Sequence, residues 1–264
     1  MFDHSSSPLK LTYAGQRYYE YVLRTKAMEE NIHKELSDIE RDESGLIKLG
    51  IPFWRGACVL PQVFPSFHEQ YPNINLVLYE AGASKIIALL LDGKIDLAII
   101  NITQTFNYPT LLCETIFMER ILLAVPVNHP EVKKILQNNI QSNGYPSCSI
   151  EIVNQIPLII SKPEQHITIA VKNALAQKNI QPNILLTTEN QTTAINIVAT
   201  GIGCTFVPEA GAKVCHRPGS VVYLAIDLPT LVWPLAAVFR KDIYLPKRCR
   251  LFIDLVKKSL DTKQ

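Results

Sequence analysis

Three stretches of the chain decide the fold: residues 45–51 (GLIKLGI), 71–82 (YPNINLVLYEAG) and 89–100 (LLLDGKIDLAII). Each contains an apolar run of strand length bounded by Gly, Pro, Asn or Asp, the residues that favour turns. The spacing of apolar side chains predicts helices over residues 59–70 and 84–91. Strands that alternate with helices indicate a parallel α/β unit, whose ligand crevices lie at the carboxyl ends of the strands.

The same alternation returns in the second half of the chain, which indicates a second lobe. Strands are predicted over residues 156–160, 181–187 and 201–208, with helices over 167–178 and 194–200. Apolar residues 121–127 and 231–239 suit strands that carry the chain between the lobes, and residues 137–149 are predicted to be a loop. We therefore predict an α/β fold of two Rossmann-like lobes, joined by two crossover strands around a cleft.

A long helix is predicted ahead of the first strand. Thr12 is its candidate N-cap, and residues 12–43 contain no proline and one glycine. Its apolar stripe has steps of three, four and seven residues, which favours pairing with a second copy of the helix in a dimer. The alternative is a helix packed on its own domain. The predicted dimerisation stripe consists of Tyr18, Val22, Thr25, Ile32, Leu36 and Ile39.

Composition and charge indicate a globular, cytoplasmic protein. Of the 264 residues, 47% are apolar and 19% are charged, and the net charge is +2. The six cysteines have no disulfide or zinc-site spacing, so we expect reduced thiols and no metal. No apolar run approaches the roughly 18 residues of a membrane span, and the polar start does not resemble a signal peptide.

No motif for catalysis or for a cofactor is present. The chain lacks the G-x-S-x-G, phosphate-loop and H-E-x-x-H patterns, and Gly201-Ile202-Gly203 lacks the third glycine of a dinucleotide fingerprint. Each histidine stands without a matching partner in the sequence. We therefore expect no catalytic residues, no cofactor and no enzyme activity.

Several short motifs follow one another along the chain in a specific order and spacing. They are Leu11-Thr12-x-Ala14-Gly15, Leu60-Pro61, Tyr71-Pro72, Gly93-x-Ile95-Asp96-Leu97-Ala98-Ile99 and Gly201-x-Gly203 with Val207-Pro208. Together they resemble LysR-type transcriptional regulators over essentially the whole chain. The resemblance implies a periplasmic-binding-protein-like effector domain preceded by a linker helix. It divides the chain into residues 1–11 (remnant of a DNA-binding wing), 12–44 (linker and dimerisation helix), 45–122 plus 232–264 (lobe I) and 123–231 (lobe II).

One departure from the family concerns DNA. The family begins with a winged helix-turn-helix, whereas this chain opens at Met1-Phe2-Asp3-His4, which resembles the wing near the end of that domain. Residues 1–43 also hold six Lys/Arg against nine Asp/Glu, an unfavourable balance near phosphates. We expect promoter DNA to be a partner of the complete protein only. Either the sequence is truncated or the protein is a naturally shortened relative.

Candidate effector-binding residues lie where the predicted strands end. The predicted loop of residues 52–58 offers backbone N–H groups, and Arg55 can pair with an anion. The alternatives are a surface arginine beside a buried tryptophan, and helix caps in the case of Ser84, Gln191 and Thr192. The full set is Phe53, Trp54, Arg55, Gly56, Ala83, Ser84, Asn101, Thr103, Ser161, Gln191, Thr192 and Phe206.

The resemblance implies a regulator that senses a small molecule between its lobes. We expect an effector such as an organic acid or an amino-acid-like metabolite, which changes the arrangement of a dimer or tetramer. The first alternative is a stand-alone small-solute-binding protein of the same fold, and the second is an enzyme of similar lobe architecture. The long first helix and the polar amino terminus weigh against the first alternative.

Overall fold

The computed structural model describes residues 1–3, 8–39, 44–103, 106–138, 140–142, 144–214 and 219–261, apart from the side chains of residue 3 and of eight residues in the first helix. The chain begins with a short antiparallel hairpin of β1 (Phe2–Asp3) and β2 (Lys10–Leu11), followed by α1 (Tyr13–Ile39). The Gly15 N–H donates to Thr12 Oγ1 over 3.1 Å, which confirms Thr12 as the N-cap of α1.

The first lobe is built as the sequence predicts, from strands that alternate with helices. Strand β3 lies between β4 and β5 and is parallel to both. The elements in chain order are β3 (Gly45–Ile51), α2 (Phe53–Gln70), β4 (Ile74–Glu80), α3 (Ala83–Leu91) and β5 (Leu97–Asn101).

Helix α2 starts earlier than predicted, so the expected loop of residues 52–58 is wrong. The Gly56 N–H already donates to the Pro52 carbonyl over 2.8 Å, the first hydrogen bond of the helix. Gly56 therefore lies inside the helix, where a Cβ would come within 3.1 Å of Glu80 Oε1. The glycine permits a close approach between α2 and β4 and does not break the helix.

The second lobe follows a long strand that the sequence predicts only in part. This strand, β6, runs over Leu111–Pro126. The predicted loop of residues 137–149 is wrong in part, because it contains two short paired strands. The elements of this lobe are α4 (Pro130–Asn138), β7 (Gln141–Ser142), β8 (Tyr145–Cys148), a 3-10 turn (Ile150–Asn154), β9 (Leu158–Ile160), α5 (His166–Gln177), β10 (Ile184–Thr187), α6 (Gln191–Ala199), β11 (Cys204–Pro208), α7 (Glu209–Val214) and β12 (Val221–Ile226).

The chain then returns to the first lobe through β13 (Val232–Arg240) and ends in α8 (Lys247–Asp261). Strand β13 lies between β5 and β6 and is antiparallel to both. Helix α8 packs on α2, where the Phe67 and Phe252 rings meet edge to face with centroids 5.1 Å apart.

The two lobes share β6, whose residues change partners where the chain crosses. Residues 111–120 of β6 pair with β13 in the first lobe. Residues 121–126 pair with β11 and β12 in the second lobe. The second crossing is the short segment 227–231, and β13 itself stays in the first lobe. Each lobe nevertheless has its own apolar clusters on both faces of its part of the sheet.

Candidate functional site

A cavity of about 190 Å³ lies between the two lobes. It is lined by residues from the N-terminal ends of four helices: α2 and α3 from the first lobe, and α5 and α6 from the second. The cap residues Pro52, Gly82 and Gln165 give α2, α3 and α5 no side-chain capping hydrogen bond. Unpaired N–H groups at helix starts are donors for an anion, and the helix dipoles favour negative charge there.

Seven of the twelve residues predicted from the sequence line this cavity: Phe53, Trp54, Arg55, Ala83, Asn101, Ser161 and Gln191. The other five do not. Ser84 and Thr192 are exposed on α3 and α6, and Thr103 is half-buried beyond the end of β5. Gly56 faces Glu80, and Phe206 borders a separate small cavity of about 10 Å³.

The predicted helix caps are also displaced by one or two residues. Gly82 is the N-cap of α3, so Ser84 lies in the first turn. Asn190 is the N-cap of α6, and its side chain accepts a hydrogen bond from the Thr193 N–H. Gln191 therefore has another role, since its Nε2 donates to the Phe206 carbonyl over 2.7 Å.

Several lining residues were missed by the sequence analysis. Pro52 and Ala81 directly follow β3 and β4, and Pro208 ends β11. The others precede or open a helix, or belong to β13, so no single local pattern marks the set. The signal that exists is the helix start itself, because His166 and Ile167 of α5 and Gln191 of α6 are first-turn residues that line the cavity. The missed residues are Pro52, Ala81, Gly82, Gln165, His166, Ile167, Glu189, Pro208 and Trp233.

Arg55, which lines the cavity, belongs to a buried ion pair. Arg55 is 3% exposed, and Glu119 on β6 is fully buried. The two Nη atoms of Arg55 donate to the two carboxylate oxygens of Glu119 over 3.1 and 2.5 Å. Arg55 Nη2 also donates to Asn101 Oδ1 over 2.6 Å. The charge of Arg55 is thus matched inside the protein, which the sequence-based assignment of Arg55 to an anionic ligand did not foresee.

Two consecutive residues of β6 hold the start of α7 at the crossing. Glu119 Oε1 accepts a hydrogen bond from the Ala210 N–H over 2.9 Å. Arg120 makes two hydrogen bonds of 3.0 Å each to the Glu209 carboxylate. The Arg120 guanidinium also lies 5.4 Å from the centre of the Tyr145 ring. Burial, aided by the Glu209 carboxylate, raises the pKa of Tyr145 above its usual value, so the phenol stays protonated.

Direct contacts across the cleft hold the lobes together. His166 Nδ1 on α5 donates to the Asn101 carbonyl at the end of β5 over 2.8 Å. Trp54 belongs to the first lobe but packs against an apolar cluster of the second lobe. A Cβ on Gly211 would lie 2.6 Å from the indole of Trp54, so only glycine fits at that position of α7.

Within the described ranges, no group of three or more His, Cys, Asp and Glu side chains could hold a metal ion. None of the described helices combines the length and the apolar composition that a bilayer-spanning segment needs.

Comparison with known proteins gives a consistent family match. The family described as LysR substrate binding domain matches residues 40–261. The HTH-type transcriptional regulator YcgK of Bacillus subtilis (strain 168) is 23% identical over 270 residues, which cover 98% of this chain and 81% of that protein. The HTH-type transcriptional regulator TtuA of Agrobacterium vitis is 25% identical over 238 residues, covering 88% of this chain and 73% of TtuA.

Solved structures show the same fold. The effector binding domain of QuiR in complex with shikimate has a TM-score of 0.68 and 21% identity, covering 83% of this chain and 99% of that one. At this identity the likeness shows a shared fold, and the ligand remains a property of that protein.

Proposed function

The chain belongs to the LysR family of transcriptional regulators, and we propose that its inter-lobe cavity binds a small organic anion that carries a carboxylate. Membership in the family makes the chain a regulator of transcription, not an enzyme, and its two-lobe part an effector-binding domain. DNA binding is a property of that family.

The convergence of four helix N-termini on one cavity carries the proposal. Two of these helices come from each lobe, so a carboxylate in the cleft is bound by both lobes at once. Each helix start contributes a partial positive charge of about half an elementary charge, and the starts of α2, α3 and α5, which have no side-chain cap, offer free N–H donors. A bound anion therefore favours the closed arrangement of the lobes. Because the anion binds the closed arrangement more tightly than the open one, binding shifts the angle between the lobes.

The apolar part of the lining favours an effector with a compact hydrocarbon body. The side chains of Trp54, Ile167 and Trp233 face the cavity together with prolines and alanines. The Nε1 atom of Trp233 is buried without a hydrogen-bond partner among the described residues. Shikimate, the ligand of the similar QuiR domain, is a carboxylate on a six-membered ring.

We further propose that the regulator works as a dimer or higher oligomer in the cytoplasm, where it meets DNA. Support for self-association comes from α1, whose apolar side chains Tyr18, Val22, Ile32 and Leu36 are exposed in the single chain. Thr25 is exposed on the same stripe, and the side chain of Ile39 lies outside the described residues. A change in lobe angle transmitted through paired α1 helices would reposition the two subunits.

The test is a ligand screen with charge-matched controls. Small carboxylic acids and their primary amides are added to the protein, and melting temperature and heat of binding are measured. At least one acid is expected to stabilise the fold, by about 2.7 kcal/mol at a concentration one hundred times its Kd, while its amide does not.

A matched pair of variants locates the site. Ala83→Phe places a ring in the cavity and is expected to abolish binding. Ser84→Phe adds the same ring to the neighbouring exposed position and leaves binding intact. Binding that survives Ala83→Phe would place the effector elsewhere.

A further inference from the structure

Glu119 is the most heavily hydrogen-bonded carboxylate of the cleft. It is fully buried on β6 and accepts hydrogen bonds from Arg55 in α2, Asn101 in β5 and Ala210 in α7. Its donors come from both lobes, and two of them, Arg55 and Asn101, line the cavity. Glu119 itself does not line the cavity, so it acts on a ligand only through these neighbours.

The charges around the cavity show what Glu119 does to Arg55. Among the described lining residues, Arg55 is the sole Lys or Arg. Its guanidinium makes a two-pronged pair with Glu119 in a place from which water is excluded, where opposite charges compensate each other strongly. At the rim, the Glu189 carboxylate lies 2.5 Å from Lys162 Nζ, so this negative charge is partly compensated as well. Among the described lining residues, the cavity is left with the partial charges of the helix starts and without an uncompensated Lys or Arg.

We propose that Glu119 is a positioning residue that sets the charge of the effector, restricting the cavity to one carboxylate group by engaging Arg55. This inference rests on the proposed function and narrows its ligand class to monoanions. Partial charges and N–H donors at helix ends accommodate one carboxylate. A second carboxylate would need a full cation at hydrogen-bond distance, and Glu119 already occupies the one that is present.

Without the charge of Glu119, Arg55 should therefore bind a second carboxylate of the ligand. In Glu119→Gln the side chain keeps its size and loses its charge, so Arg55 carries an uncompensated positive charge into the cavity. A charge-assisted hydrogen bond to a ligand changes affinity by a factor of about ten to one hundred. The arginine also has its Nε buried without a partner among the described residues, which leaves a donor for a new acceptor.

The experiment compares acids that differ by one carboxylate. Isothermal titration calorimetry is carried out with two pairs, benzoate with isophthalate and pentanoate with glutarate, on the native protein, on Glu119→Gln and on Arg55→Gln/Glu119→Gln. We expect the native protein to prefer the monoacid of each pair that binds. In Glu119→Gln the ratio of diacid to monoacid affinity should rise at least tenfold, and in the double variant it should return to the native value.

The outcomes separate the inference from the proposed function. A native protein that prefers the diacid overturns it, even if Glu119→Gln fails to fold, and an unchanged ratio in a folded Glu119→Gln also overturns it. In both cases the carboxylate effector of the proposed function survives. A native protein that binds carboxylic acids of neither kind, in these pairs or in the wider screen, overturns the proposed ligand class and the inference together. A purely structural role of Glu119 would lower both affinities and leave their ratio constant.

Discussion

Thr168 has a buried hydroxyl for which the described part of the chain supplies no hydrogen-bond partner. The residue is 1% exposed on α5 and borders the small cavity of about 10 Å³ beside the main one. An unpaired buried hydroxyl costs roughly 1–3 kcal/mol. Thr168→Val replaces it with a methyl group of similar volume, so we expect the free energy of unfolding in urea to rise by about 1 kcal/mol.

The control for this substitution is Thr192→Val. Thr192 is exposed on α6, and both changes exchange one β-branched side chain for another. We expect the control to change stability by less than about 0.5 kcal/mol. A destabilised Thr168→Val protein would mean that the hydroxyl is hydrogen-bonded in solution.

For Arg55, the sequence predicts the position of the residue but not its ion pair. Its position after the first strand predicts that it borders the crevice, and it does. Its partner Glu119 is 64 residues away, in the first half of β6, which has no continuous apolar run. The sequence around either residue therefore does not predict the ion pair. Position followed from the fold pattern, whereas the electrostatic state of the side chain depends on a tertiary contact.

Helix α1 presents an apolar stripe whose side chains Tyr18, Val22, Ile32 and Leu36 are left exposed by the described part of the chain. If this stripe pairs with a second copy, charges placed in it should separate the subunits, because a buried carboxylate without a partner is costly. We expect Val22→Glu/Ile32→Glu to reduce the mass measured by light scattering after size-exclusion chromatography.

A charge on the other side of the same helix is the appropriate comparison. Asn31 lies on a face of α1 that points away from the stripe. Asn31→Glu should therefore leave the mass measured by light scattering unchanged. Equal masses for the stripe variant and the native protein would refute dimerisation through α1.

Whole elements were predictable where the local pattern was strong. Strand β3, helix α5 and strand β4, whose sequence predicts a strand over residues 74–79, begin and end within one residue of the predicted bounds, because turn residues flank clear apolar runs. The first half of β6 escaped prediction because charged Glu114, Glu119 and Arg120 interrupt it. Their charges are satisfied by other elements: Glu114 by Arg250 and Lys257 of α8, and Arg120 by Glu209 of α7.

At the scale of the molecule, contacts of different kinds link the two lobes. Strand β6 pairs with strands of both lobes in one continuous sheet. Polar side chains add contacts, since Glu119 and Arg120 hold the start of α7 and His166 donates to the Asn101 carbonyl. Trp54 of the first lobe also packs against Gly211 of the second. The first link is continuous backbone pairing and stays in place when the lobes rotate. The Trp54–Gly211 contact is van der Waals packing, so it can be weakened without breaking a hydrogen bond or an ion pair.

Gly211→Ala is therefore expected to open the cleft. Its new methyl group would sit 2.6 Å from the indole, and overpacking of this kind costs roughly 1–3 kcal/mol unless Trp54 moves away. Small-angle X-ray scattering should show a larger radius of gyration, and carboxylate affinity should fall because Trp54 lines the cavity.

Gly82→Ala adds the same methyl group where the nearest atom, Gln165 Nε2, is 3.5 Å away, and should not alter the shape. Adding Trp54→Leu to Gly211→Ala removes the clash and should restore the compact form; a compact Gly211→Ala protein would show that the Trp54–Gly211 contact does not control the lobe angle.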